Sequence, residues 1–209
     1  MTTDSERRAQ AIAAFRGENA KDPTLVTDGA ELRPKELVAA ERLALWVERL
    51  EPRASEALAL ASHCQHLCRW QIPRSRYPDG RIGYLTWRKA LAKYHADQAA
   101  EILRAAGYGD EVLQAVRQIN LKQGLHVNAD VQSMEDALCL SFLEHELEEF
   151  SRQHPEAKVV DILAKSWRKM SERGRQVALT LPLSEHAGAL VKQALEQPTP
   201  TTPASVPAS

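Results

Sequence analysis

A chain of 209 residues with a formal charge of −1 lacks the cationic excess that a general nucleic-acid binder or a membrane-surface protein uses to attract phosphates over distance. With 44% hydrophobic and 26% charged residues it has the balance of an ordinary globular protein of one domain, and the scarcity of aromatic and β-branched residues favours helices. Recognition of a phosphate would have to be local.

The first helical pattern runs from about Asp4 to Glu18 and has no apolar run long enough for a signal segment, and no later stretch approaches the ~18 to 20 apolar residues that span a bilayer. The stretch ENAKDPTLVTDGAELRP reads as a loop because Asn, Asp, Pro and Gly are dense in it. A second helix starts near Pro34 and stops before Pro52; a third is expected from about Ala54 to Arg69. The segment WQIPRSRYPDGRIGY reads as an ordered loop of functional length. Beyond it the pattern gives helices from about Leu85 to Ala106, Asp110 to Lys122, Val131 to Arg152 and Ala157 to Met170, then two weaker ones at Ser171 to Leu181 and Ser184 to Glu196.

The expected fold is therefore all-α, one multi-helix domain over residues 1–196, followed by a Pro/Thr/Ser tail at 197–209 that is too polar to offset its ordering entropy. Cys64, Cys68 and Cys139 form no CxxC pair and lie in apolar helical sequence, which suits a reducing, cytoplasmic setting.

Three polar residues stand where apolar ones belong. Helical residues advance by about 100°, which puts Leu140, Leu143, Leu147 and Phe150 within about 40° of Asp136, and Arg88, Leu91, Ala99 and Ile102 within about 40° of His95. The helix ASEALALASHCQHLCRW is apolar or small nearly all round, as a central helix is, and it carries His63 and His66. A buried carboxylate needs a partner, and His66 and His95 offer one. A divalent metal held by His66, His95 and Asp136 would satisfy all three and activate a water, whereas a structural hydrogen-bond network would satisfy them without chemistry.

Between Ala57 and Ala96 the only acid is Asp79, while Arg69, Arg74, Arg76, Arg81, Arg88, Lys89 and Lys93 are cationic and Trp70, Tyr77, Tyr84, Trp87 and Tyr94 are aromatic. Guanidinium groups bind phosphate in bidentate fashion and aromatic faces stack on bases, so a phosphorylated small molecule or nucleotide is the expected ligand. Arg69, Trp70, Arg74, Arg88 and Lys122 are its candidate contacts. The alternative is a rim of solvated arginines facing the acidic run Glu144, Glu146, Glu148 and Glu149.

In QHLCRWQIPRSRYPDGRIGYLTWRKAL, YHADQAAEIL, QSMEDALCLSFLEHELEEF and AKSWRKMSERG the chain resembles the family called domain of unknown function 4202, a name that implies no activity. More distantly, a helical His, the second His in YHA and the Asp in MEDALCLSFLEH look like the metal-dependent HD phosphohydrolases. That likeness implies an HD-like helical bundle in which His66 (or His63), His95 and Asp136 ligate a divalent metal such as Mn, Fe, Co, Ni or Zn and activate water against a phosphate ester. The residue after His95 is Ala96, where the superfamily has its Asp, so Glu144 or His63 would have to supply the missing ligand. Two functions follow as expectations: a metal-dependent phosphohydrolase, or a non-catalytic binding or interaction module with a structural His/Asp core.

Overall fold

The computed structural model describes residues 3–197, so the tail expected to be disordered lies, from residue 198 on, outside the described residues. Helix α1 (Asp4–Asn19) opens with a capping box, Thr3 Oγ1 accepting from Glu6 N while the Glu6 carboxylate accepts from Thr3 N at 2.7 Å. The expected loop after it contains a hairpin, β1 (Leu25–Asp28) antiparallel to β2 (Glu31–Pro34). Strands this short offer too few alternating positions to be seen in sequence. Gly29, at φ 63°, takes the left-handed conformation that the tight connection demands. The Asp28 carboxylate, held below the usual range by hydrogen bonds from Arg33 (2.6 Å) and Arg42 (2.9 Å), ties the hairpin to the next helix.

Helix α2 (Lys35–Leu50) stops short of Pro52 as expected. Helix α3 (Glu56–Cys64) is capped by Ser55 and is central, packing on α1 and α2 and on three later helices. It ends well before Arg69: the backbone leaves the helix at Gln65, turns at Cys68 in the left-handed region (φ 56°) and continues through single 3-10 turns at Arg69–Gln71 and Arg74–Arg76. His66 thus lies in a turn and not on a helix, which removes the wheel argument for its direction.

Helix α4 (Gly80–Ala105) starts at Gly80 instead of Leu85, and α5 (Asp110–Asn120) follows. The single helix expected from Val131 to Arg152 is α6 (Ala129–His145) and α7 (Leu147–Gln153), broken at Glu146. Helices α8 (Glu156–Lys169), α9 (Glu172–Ala178) and α10 (Glu185–Glu196) complete the described chain, which is all-α apart from the hairpin. One core joins Phe15, Leu58, Leu60, Leu67, Leu103, Ile119, Met134, Leu140 and Leu147.

Asp136 faces inward as its spacing requires, but it meets α9. Its Oδ1 accepts from Ser171 N at 2.8 Å and Gln132 Nε2 at 3.1 Å, and the Ser171 hydroxyl donates to Oδ2. Ser171 Oγ in turn accepts from Gly174 N, capping α9. Gly174 sits so close that a Cβ there would lie 2.6 Å from Asp136 Cγ. Gly174→Ala should therefore push α9 off α6 at a cost of about 1–3 kcal/mol, and Asp136→Ala, which orphans the Ser171 donors, should cost a similar amount. Thermal melts should show each variant roughly 5 °C less stable; an unchanged melting temperature for both would refute the brace.

Candidate functional site

Helix α4 organises the loop that precedes it. Trp87 and Tyr94, seven residues apart on one face, and the adjacent His95 hydrogen-bond Ile72 O (2.8 Å), Gln71 Oε1 (2.6 Å) and Leu67 O (2.6 Å) respectively. The loop is ordered because these side chains hold it. A carbonyl oxygen only accepts, so His95 Nδ1 carries the proton and Nε2 keeps its lone pair. That Nε2 is buried and has no hydrogen-bond partner among the described residues. Arg69, delivered by the same loop, lies with its guanidinium 5.1 Å above the Trp87 ring.

His66 follows α3 at the other side of this turn, its ring centroid 6.0 Å from that of His95. Glu36, in the first turn of α2, completes the group: its Oε2 is 3.8 Å from His66 Nδ1 and its Oε1 is 3.7 Å from Arg69 Nε. These are ion-pair distances without hydrogen bonds. His66 is deep enough for burial to suppress its charge, yet its side chain keeps 36% exposure, so it lines a recess open to solvent.

Burial pushes the Glu36 carboxyl up to about 7; Arg69 and Lys35 resist the shift, and Asp22 and Glu146 add to it. Burial also holds His66 well below the usual imidazole range, helped by the charges of Arg69, Arg88 and Lys122. His95 is pulled down to about 4 by burial and by Arg69 and Arg88, against the opposing effect of its bond to Leu67. Both imidazoles are neutral at physiological pH. His66 thus feels positive charge from the loop, from α4 and from the turn that follows α5.

The structure thus brings together His66, His95 and Arg69, with Arg88, exposed on α4, and Lys122 as surrounding charges, and leaves out the rest of the expected set. Asp136 is occupied by Ser171 and Gln132, so the expected His66, His95 and Asp136 centre is corrected: the carboxylate beside His66 is Glu36. Glu144 accepts from Trp46 Nε1 at 2.8 Å and lies 3.1 Å from His145. His63, brought down to about 4 by burial, feels Arg16, Arg8 and Glu41, on the side of α1 and α2. Arg74 donates to the carbonyls of Tyr77 (2.7 Å) and Pro78 (2.8 Å) and serves the loop's own shape. Trp70 is half-buried against the core. Lys122 also pairs with buried Glu135, whose carboxyl burial raises but Lys122 and Lys169 bring down to a net lowering. Among the described residues no three His, Cys, Asp or Glu side chains are grouped as a metal-holding set.

Glu36 was the missed member, and a signal for it existed. On the same wheel Leu43, Val47 and Leu50 fall within about 40° of Glu36, so it heads the buried stripe of α2 as Asp136 heads that of α6. The cysteines add no nucleophile: all are buried, and burial pushes Cys64 and Cys139 up to about 12 and Cys68 to about 11.

The family model described as Domain of unknown function (DUF4202) matches residues 9–191. The chain belongs to that family. No curated protein and no solved structure matches it. In this DUF4202 chain the matched region contains the whole recess, from Glu36 to Lys122. Among the described residues no helix is long and apolar enough to cross a membrane.

The shifts have opposite consequences for stability. His63 and His95 bind protons more weakly when folded, so their contribution is intact above pH 6.5 and is lost as pH falls toward 4. Glu36 binds its proton more tightly when folded, so its contribution is full below pH 4.5 and is lost as pH rises through 7. Glu36→Gln, which stays neutral, should gain on the wild type between pH 5 and pH 8 by up to about 3 kcal/mol. Urea unfolding at the two pH values measures this; a pH-independent difference would show that Glu36 does not ionise in the folded recess.

Proposed function

We propose that the recess around His66 binds a phosphorylated small molecule, with Arg69 and Arg88 as its phosphate contacts, Lys122 adding positive field, and neutral His66 as a hydrogen-bonding partner. One observation carries this reading. Elsewhere buried acids are closed by hydrogen-bonding partners, as Glu135 is by Lys122 and Asp136 by Ser171, but Glu36 stands within 3.8 Å of both His66 and Arg69 with no hydrogen bond to either. Groups held apart in this way have donor and acceptor capacity left for a ligand. Guanidinium forks match the tetrahedral oxygens of a phosphate.

The same recess is equipped for hydrolysis of a phosphate ester. A carboxyl near 7 is matched to proton transfer at neutral pH. With the ligand bound, protonated Glu36 would give its proton to the departing oxygen as the old O–P bond breaks, while the water that forms the new O–P bond loses its proton to solvent. A non-catalytic receptor for the same ligand needs only the cations.

Sulfate is a suitable probe because it stays a dianion across the range tested. Ionised Glu36 opposes an anion nearby, so sulfate should bind about tenfold more tightly at pH 6 than at pH 8.5. Glu36→Gln should flatten that dependence. Arg69→Ala should weaken sulfate at least tenfold at both pH values. Calorimetric titration reads all three, and wild-type affinity that is independent of Arg69 would overturn the proposal.

A second reading keeps the divalent metal and the HD-like relation. It is favoured by the His95 tautomer, in which Nδ1–H is fixed by a backbone carbonyl and Nε2 is left free, as in metal-ligating histidines. His66, His95 and Glu36, which are not grouped at ligand distances here, would then have to close in as the ligands, and the metal would lower the pKa of a bound water. Phosphate binding that persists in chelator and in His95→Ala supports the metal-free site. Binding that requires added Mn²⁺ or Zn²⁺ and disappears in His95→Ala transfers the function to the metal site.

A further inference from the structure

The recess does not account for the ring beside it. Tyr84 lies on α4 one turn before Arg88, and residues so spaced are neighbours on one helix surface. Its side chain is 46% exposed, while its ring stands 5.9 Å from that of Trp87, with the planes 49° apart. Trp87 itself is buried, spends its indole N–H on Ile72 O and carries the Arg69 guanidinium. The order is therefore an open aromatic face, a closed one, and a cation facing Glu36 and His66.

We propose, on the basis of the phosphate reading above, that the ligand is a nucleoside phosphate whose phosphate is held by Arg69 and Arg88 and whose planar base stacks on the exposed face of Tyr84. A phosphate or sugar phosphate alone would use the two arginines and leave the ring idle. A base has the flat π-face that an aromatic side chain binds, and stacking tolerates any base identity. Trp87 cannot take this part, because its ring is committed to the core and to Arg69.

The test compares inorganic phosphate, ribose 5-phosphate and the four nucleoside 5′-monophosphates by calorimetric titration of the full chain, wild type, Tyr84→Ala and Tyr84→Phe. At least one nucleotide should bind the wild type about tenfold more tightly than ribose 5-phosphate, the size of a single base–aromatic stack. Tyr84→Ala should abolish that gain and leave ribose 5-phosphate unchanged; Tyr84→Phe should keep it. Equal affinity of all four nucleotides and ribose 5-phosphate overturns the inference, as does a Tyr84→Ala variant that weakens both equally or neither. If no phosphate compound binds at all, the phosphate reading of the recess falls first and this one with it.

Discussion

The contact on which the site depends is the hydrogen bond from His95 to the carbonyl of Leu67. It forms only because the chain leaves the helix at Gln65, which frees that carbonyl from intrahelical use, and because Cys68 turns the backbone through the left-handed region. A non-glycine residue accepts that conformation at a cost of about 1 kcal/mol, so the surrounding contacts must hold it there. They do: Leu67 is fully buried, and Trp87 and Tyr94 bind the next residues of the loop. One bond thereby fixes the His95 tautomer, places His66 opposite it and sends Arg69 across Trp87.

The electrostatics of the fold divide in two. Asp28 with Arg33 and Arg42, Glu135 with Lys122, and Asp136 with Ser171 are closed arrangements that join one element to another. The Glu36 recess is open, its charges near but not bonded, and both of its imidazoles are neutralised by burial and by surrounding cations. An open set of this kind stabilises the protein less than a closed one, since desolvation is not offset by hydrogen bonds. Such a local sacrifice of stability is what a binding site requires.

Helical spacing reveals which way a residue faces but not what it meets. It placed His95 and Asp136 inside correctly, and applied to α2 it would have placed Glu36 there too. It could not show that Asp136 meets the start of α9, because the weak helix expected from Ser171 carries no sign of which element it packs against. The break at Gln65 was hidden for a related reason: a helix that is apolar all round has no periodicity to lose when it ends. Arg69 and Arg74 look alike in a basic loop, and only the tertiary positions of Trp87 and of the Tyr77 and Pro78 carbonyls separate the free guanidinium from the occupied one.

The neutrality of the imidazoles has a consequence for how an anion would be received. Any dianion entering the recess raises the proton affinity of every group facing it, by the same Coulombic effect with which Arg69, Arg88 and Lys122 now lower that of His66. Glu36 starts near 7, so a small upward shift completes its protonation at neutral pH; His66 starts far below and would remain largely uncharged. The first proton taken up with the ligand therefore goes to the carboxyl, which turns a nearby group that repels the anion into a hydrogen-bond donor toward it. An aspartate already closed by Ser171 and Gln132 could not respond in this way, and this is the physical reason that Glu36, and not Asp136, is the acid of the proposed site.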